Sequence, residues 1–129
     1  MKRVLATVVA CLFALPAAAE PSAGVWKTEP GESGGYLHVS IAPCGAQVCG
    51  TILSAFDASG AVAADYAHTG KPIIWDMQAR GRGSYRGGKI WAPDSDKTYN
   101  SRMSLSGNAL KVEGCVIGIC RAQTWTRVR

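Results

Sequence analysis

Only two histidines, His38 and His68, occur in this 129-residue sequence. No serine stands in a Gly-x-Ser-x-Gly elbow, so the local signature of a Ser-His-Asp hydrolase is missing. The acidic run Asp94-Ser95-Asp96 lacks the rest of an Asp-x-Asp-x-Asp-Gly calcium loop and reads as a plain turn. Gly81, Gly83, Gly87 and Gly88 precede no helix, so they form no phosphate cradle. No stretch keeps an apolar 3.6-residue period for a useful length, which argues against a helical core. Positive charge is modest, at a formal net +5. Arg80, Arg82, Arg86 and Lys89 cluster in a glycine-rich stretch without the docking motif or stacking platform of a nucleic-acid binder. Catalytic residues, a metal site, a cofactor and a nucleic-acid partner are therefore not expected.

Long apolar runs are also scarce, and the one present is at the start. Lys2 and Arg3 precede the apolar run Val4 to Leu15, and Ala17-Ala18-Ala19 supplies small residues where a signal peptidase reads; this predicts an exported chain cleaved after Ala19. The run is shorter than the roughly 18 residues of a membrane span and is followed by Pro16. A lipoprotein reading through Val8-Val9-Ala10-Cys11 would leave an unusually short apolar run before its cleavage point. Removing residues 1–19 leaves one domain of 110 residues, 20–129, and loss of Lys2 and Arg3 lowers the formal charge from +5 to +3. The expected location is the periplasm or outside the cell, with no membrane span after cleavage.

Four cysteines remain after cleavage: Cys44, Cys49, Cys115 and Cys120. Even cysteine number with export argues for disulfides over a four-thiolate zinc site, because an oxidising compartment works against free thiolates. Three pairings are open. The local one, Cys44 with Cys49 and Cys115 with Cys120, is favoured because each pair flanks a turn that brings two strands together. Closing so short a loop contributes about 2 kcal/mol on the chain-entropy model.

Along the chain, Ala23 to Thr28 reads as a first strand, and Tyr36 to Ala42 alternates, with Leu37, Val39 and Ile41 on one face. Val48 to Ser54 returns beside it. Ala55 to Lys71 has no sustained period, which in a compact domain marks a functional or mobile segment. Pro72 to Met77 is a short apolar strand, Arg80 to Gly88 a loop or ragged hairpin, and Lys89 to Pro93 a strand ended by proline. Thr98 to Leu105 alternates again, and Asn108 to Val128 forms a closing hairpin. Seven or eight short strands with turn signals at nearly every joint specify an all-β domain. A closed antiparallel up-and-down barrel is the most economical way to remove its edges.

Gly24-x-Trp26, Pro43-Cys44 to Cys49-Gly50-x-Ile52, Gly88-Lys89-Ile90-Trp91-x-Pro93, Lys97-Thr98-Tyr99 and Gln123-Thr124-Trp125-Thr126-Arg127-Val128 together resemble the exported bacterial family known as domain of unknown function 2147. The resemblance spans nearly the whole mature chain and implies a small lipocalin-like, or calycin-like, β-barrel, with no activity attached. Ala55-Phe56-Asp57-Ala58-Ser59-Gly60 stands where the family has Asp-x-x-Asn-Pro, and Asp96 where it usually has glycine. Lipocalin-like barrels further imply a closing role for Gly24, Trp26 and Arg127, with the arginine lying across the indole as a cation–π contact worth roughly 0.5–2 kcal/mol.

Trp75, Trp91, Tyr99 and Trp125 are the candidate ligand-binding residues, since apolar side chains with few polar groups line ligand sites. The competing expectation, slightly favoured, is that such aromatics fill the barrel themselves. The chain reads as a non-catalytic binding module for a small apolar or envelope-derived ligand. The alternative is an interaction or inhibitor module that meets an envelope protein through its loops, with Ala58 to Ala67 removable without unfolding.

Overall fold

The protein is described here from a computed structural model covering residues 4–10 and 19–129. Lys2, Arg3, Cys11, Pro16, Ala17 and Ala18 of the expected leader lie outside the described residues. Eight strands follow one another: β1 (Gly24–Lys27), β2 (Tyr36–Cys44), β3 (Gln47–Phe56), β4 (Pro72–Gly81), β5 (Ser84–Ala92), β6 (Lys97–Ser106), β7 (Ala109–Val116) and β8 (Ile119–Arg127). Each pairs antiparallel with the next and β8 returns to β1, closing an up-and-down barrel.

Alternation in the sequence decides which face of each strand turns inward. In β6, Ser101 and Met103 are buried and Arg102 and Ser104 exposed. Its neighbour β7 places Met103 opposite Val112 and Leu105 opposite Leu110. The register breaks twice along β4, where Val48 pairs Met77, Gly50 pairs Ile74 and Thr51 pairs Pro72, so one extra residue is accommodated on β4 at each step. Asp76, at φ 59°, takes the left-handed conformation of the first bulge. At the second, Ile73 and Ile74, although adjacent, are both buried.

Arg80 to Gly88 is more regular than its composition suggests. β4 runs on to Gly81 and β5 starts at Ser84. Gly81, Arg82 and Gly83 all have positive φ (84°, 56° and 74°), so the glycines supply a tight left-handed turn where a ragged loop is expected. Two disulfides clip turns at opposite ends of the barrel, Cys44 to Cys49 between β2 and β3 and Cys115 to Cys120 between β7 and β8.

The end that carries the β2–β3 turn is filled. Trp26, Val39, Ile41, Met77, Tyr85 and Leu110 pack there in one buried cluster. The segment from Glu20 to Ala23 plugs it from below. Trp26 donates its Nε1–H to the Ser22 carbonyl at 2.8 Å, and the Arg127 guanidinium sits 4.4 Å from the indole centroid while donating to the carbonyls of Ala23 and Pro21. Gly24 has φ 141°, and a side chain there would start 2.5 Å from the Arg129 carbonyl oxygen and 2.9 Å from Arg127 Nη1. Only glycine permits that approach. Beneath it, Tyr85 donates its hydroxyl proton to the Glu20 carboxylate, which also accepts from the Ser22 N–H and hydroxyl.

Two carboxylates link this frame to pH. Burial pushes Glu20 upward, but its hydrogen bonds from Tyr85 and Ser22 outweigh that and hold it below the ordinary carboxylate range. Glu113 is held below that range first by the hydrogen bond from Arg102, with Lys111 adding to it. Depressed carboxylates contribute stability that is complete above their unfolded pKa, about 4.3, and is lost as pH falls through the folded values. The melting temperature is therefore expected to hold near neutral pH and to fall steeply below about pH 4.5. Glu113→Gln should lower it at neutral pH and flatten that acid limb; an acid limb identical to wild type would remove Glu113 from the account.

Candidate functional site

The opposite end of the barrel is hollow. The β1–β2 loop, residues 57–71, the β5–β6 turn and the β7–β8 turn surround an opening into a cavity of about 1090 Å³. Its walls include Leu37, Ala55, Ile73, Ile90, Val112 and Trp125. These are the inward positions of β2 to β5, β7 and β8, so the alternation that builds the core below also builds an apolar wall above. The barrel is filled in its lower half and open in its upper half, which corrects the expectation of a barrel filled throughout.

Polar groups are few and stand near the opening. Gln123 accepts from the Trp125 indole N–H at 3.0 Å, which fixes the ring on the cavity wall. Trp91 is held by an Nε1–H bond to Asp96 at 2.8 Å and by the edge of His68, 5.0 Å between ring centroids. Tyr66 packs against the core, and burial together with the nearby Asp94 carboxylate pushes its phenol upward, so it stays a protonated donor at neutral pH. Arg121 is the cation on the lining, with Glu29, Asp57 and Asp94 as the acidic groups around the mouth. The Asp57 carboxylate is engaged by Ser59 and by the Ala61 N–H.

Neither histidine lines the cavity. His38 lies in a cluster with Tyr36 and Phe56, and His68 packs on Tyr66 and Trp91. Among the described residues, no group of three or more histidine, cysteine, aspartate or glutamate side chains is placed to hold a metal. The arrangement offers apolar contact area, an aromatic floor and a polar rim, which suits retention of an apolar body with a polar end directed outward.

A family profile described as "Uncharacterized protein conserved in bacteria (DUF2147)" matches residues 24–127, nearly the whole barrel. The chain belongs to the DUF2147 family. Among solved structures, protein HP1028 from Helicobacter pylori, reported to belong to the lipocalin family, is similar with 19% identity and a TM-score of 0.67. The alignment covers 83% of this chain and 82% of that one. The likeness establishes a lipocalin-like fold for this DUF2147 member. No curated protein matches the chain significantly.

Of the four candidate ligand residues in this DUF2147 chain, the structure brings Trp91, Tyr99 and Trp125 to the cavity. Trp75 it does not. Ile74 pairs with the cavity residue Ile90, so Trp75, one step on, pairs with exposed Lys89 and belongs to the outer face. Sequence reasoning missed Tyr66, Ile73, Arg121 and Gln123. Arg121 and Gln123 could have been found, since they alternate with Trp125 along one strand. Ile73 could not, because the second register shift of β4, opposite Gly50 and Thr51, turns it inward against the period. Tyr66 comes from the patternless segment, which forms part of the cavity wall: Phe56 bridges to Val62, Ala63 donates to the Ala55 carbonyl, and Gly70 and Lys71 bond Ile52.

Proposed function

We propose that this protein is an exported, non-catalytic binding module that takes a small apolar or envelope-derived ligand into the upper barrel. The observation that carries this reading is the cavity of about 1090 Å³, apolar in its walls and open at one end. A pocket of this size and character suits a ligand of drug-like or lipid dimensions. The fold of HP1028, reported as a lipocalin, and the DUF2147 family supply a lipocalin-like barrel and no ligand. Export is supported by the leader pattern in the sequence and by two disulfides, which persist in an oxidising compartment. The non-catalytic reading is supported by the lining of the cavity, which among the described residues includes neither histidine.

The test is native mass spectrometry of protein purified from periplasm with both disulfides intact. The expected result is a reproducible extra mass that disappears on denaturation. Stripped protein, titrated with palmitic acid and with a lysophospholipid, should then change the fluorescence of Trp91 and Trp125 at micromolar concentrations, on the order of 8 kcal/mol of binding free energy. A bare mass together with unresponsive fluorescence would overturn the reading.

A further inference from the structure

The barrel wall is not equally continuous all the way round. β8 pairs with β7 without a break from Ala109–Thr126 to Val116–Ile119. On its other side it meets β1 at only two positions, Trp26 with Arg127 and Lys27 with Thr126. Among the described residues, Ile119 to Trp125 has no strand beside it on that side. β1 ends at Lys27, and Thr28 and Pro30, which its register would set opposite Trp125 and Gln123, lie in the β1–β2 loop with no pairing to β8. The β1–β2 loop then leans over the mouth, so that a side chain on Gly31 would meet the Asp94 carboxylate at 3.6 Å.

Which backbone groups face the open side follows from the pairing. Cys115 and Cys120 are directly opposite, with Cα atoms 4.0 Å apart. This is the narrow spacing of a non-hydrogen-bonded antiparallel pair, in which both residues turn their N–H and C=O away from each other. By the two-residue period, Cys120, Ala122 and Thr124 present backbone donors and acceptors to the open side, and Arg121 and Gln123 present theirs to β7. Their side chains alternate oppositely, Arg121, Gln123 and Trp125 lying on the cavity wall.

Open edges are usually blunted by proline, lysine, a bulge or an inward charge. From Ile119 to Thr124 there is no proline, no lysine and no register shift, and the one charge is Arg121. Ala122 and Thr124 are exposed. An apolar small molecule in the cavity cannot satisfy a row of backbone N–H and C=O groups, whereas an extended peptide can.

We infer that the upper edge of β8 is a strand-addition site, which takes an extended peptide segment of a partner protein as an extra strand between β8 and the β1–β2 loop. The edge is about 20 Å long. Backbone bonds to Cys120, Ala122 and Thr124 hold the segment. Its alternate side chains enter the cavity, where apolar residues meet the wall near Trp125 and a carboxylate meets Arg121. This surface differs from the loops, and the inference does not depend on the small-ligand reading: either can fail with the other intact.

The experiment uses the full mature chain and a soluble peptide of about seven residues, matched to the edge length, with valine and threonine alternating, a central glutamate and a lysine at each end. Amide hydrogen exchange is read residue by residue. Peptide should slow exchange at Cys120, Ala122 and Thr124 by about tenfold or more, leaving Arg121 and Gln123, already bonded to β7, unchanged. Palmitic acid should not produce this alternating pattern. Ala122→Pro removes an edge donor without touching the β7 ladder, so it should keep the melting temperature and lose peptide protection. The same peptide with its edge-facing amides N-methylated leaves the protein unaltered and should give no protection. No slowing at these three amides, protection by the methylated peptide, or equal binding to Ala122→Pro would overturn the inference. So would slow exchange at all three in the free, monomeric chain.

Discussion

Replacing Trp26 by alanine is expected to remove about 4 kcal/mol of stability, the range for emptying a buried indole site. Native stability of a domain this size is about 5–15 kcal/mol, so the variant should lie at the margin of folding. Three contributions converge on one side chain. Trp26 is fully buried in the lower core, its N–H satisfies the Ser22 carbonyl, and its face receives the Arg127 guanidinium. Alanine deletes the packing, strands a buried carbonyl and leaves Arg127 without its aromatic support. Guanidinium-chloride denaturation should show a lower midpoint with an unchanged slope.

Arg127→Lys separates the parts of this closure. Lysine keeps a charge over the indole but cannot reproduce the fork that reaches Ala23, Pro21 and Asn108 together. Its expected loss is smaller than that of Trp26→Ala. In the double variant the two losses should add to less than their sum, because the groups contact each other. Strict additivity would mean that the guanidinium is held by the carbonyls alone and that the cation–π contact is incidental.

How much of this was legible beforehand depends on how local the information is. The alternation of Tyr36 to Ala42 and Thr98 to Leu105 identifies strands directly, since period two is written in consecutive residues. The closure by Gly24, Trp26 and Arg127 was accessible only through family resemblance, because nothing local in Trp26 points to a residue a hundred positions away. What the sequence could not convey is where a barrel stops being full. Volume is a sum over facing strands, and the hollow exists because Ala55 and Gly114 are small where the lower layers carry Ile41, Met77 and Leu110. The same limit explains Trp75: its face was settled by register against Lys89, which no single strand discloses.

That account of the hollow makes its own prediction. Gly114→Trp is expected to weaken uptake of palmitic acid by about tenfold or more, roughly 1.4 kcal/mol, read by isothermal titration so that the added indole does not confound the signal. Gly114 is an inward position of β7, and a Cβ built there lies 3.4 Å from Ile90 Cγ2 and 3.6 Å from Tyr99 Cβ, ordinary contact with two cavity walls. The new ring must therefore occupy space that is open in the native barrel, not space held by the core. Stability should change little, because the residue adds apolar contact where none is lost and needs no left-handed backbone. The two readouts discriminate sharply. Lost uptake with an unchanged melting temperature places the ligand in the upper barrel. Undiminished uptake by a folded variant would mean that palmitic acid binds elsewhere on the protein, and the hollow would need another explanation.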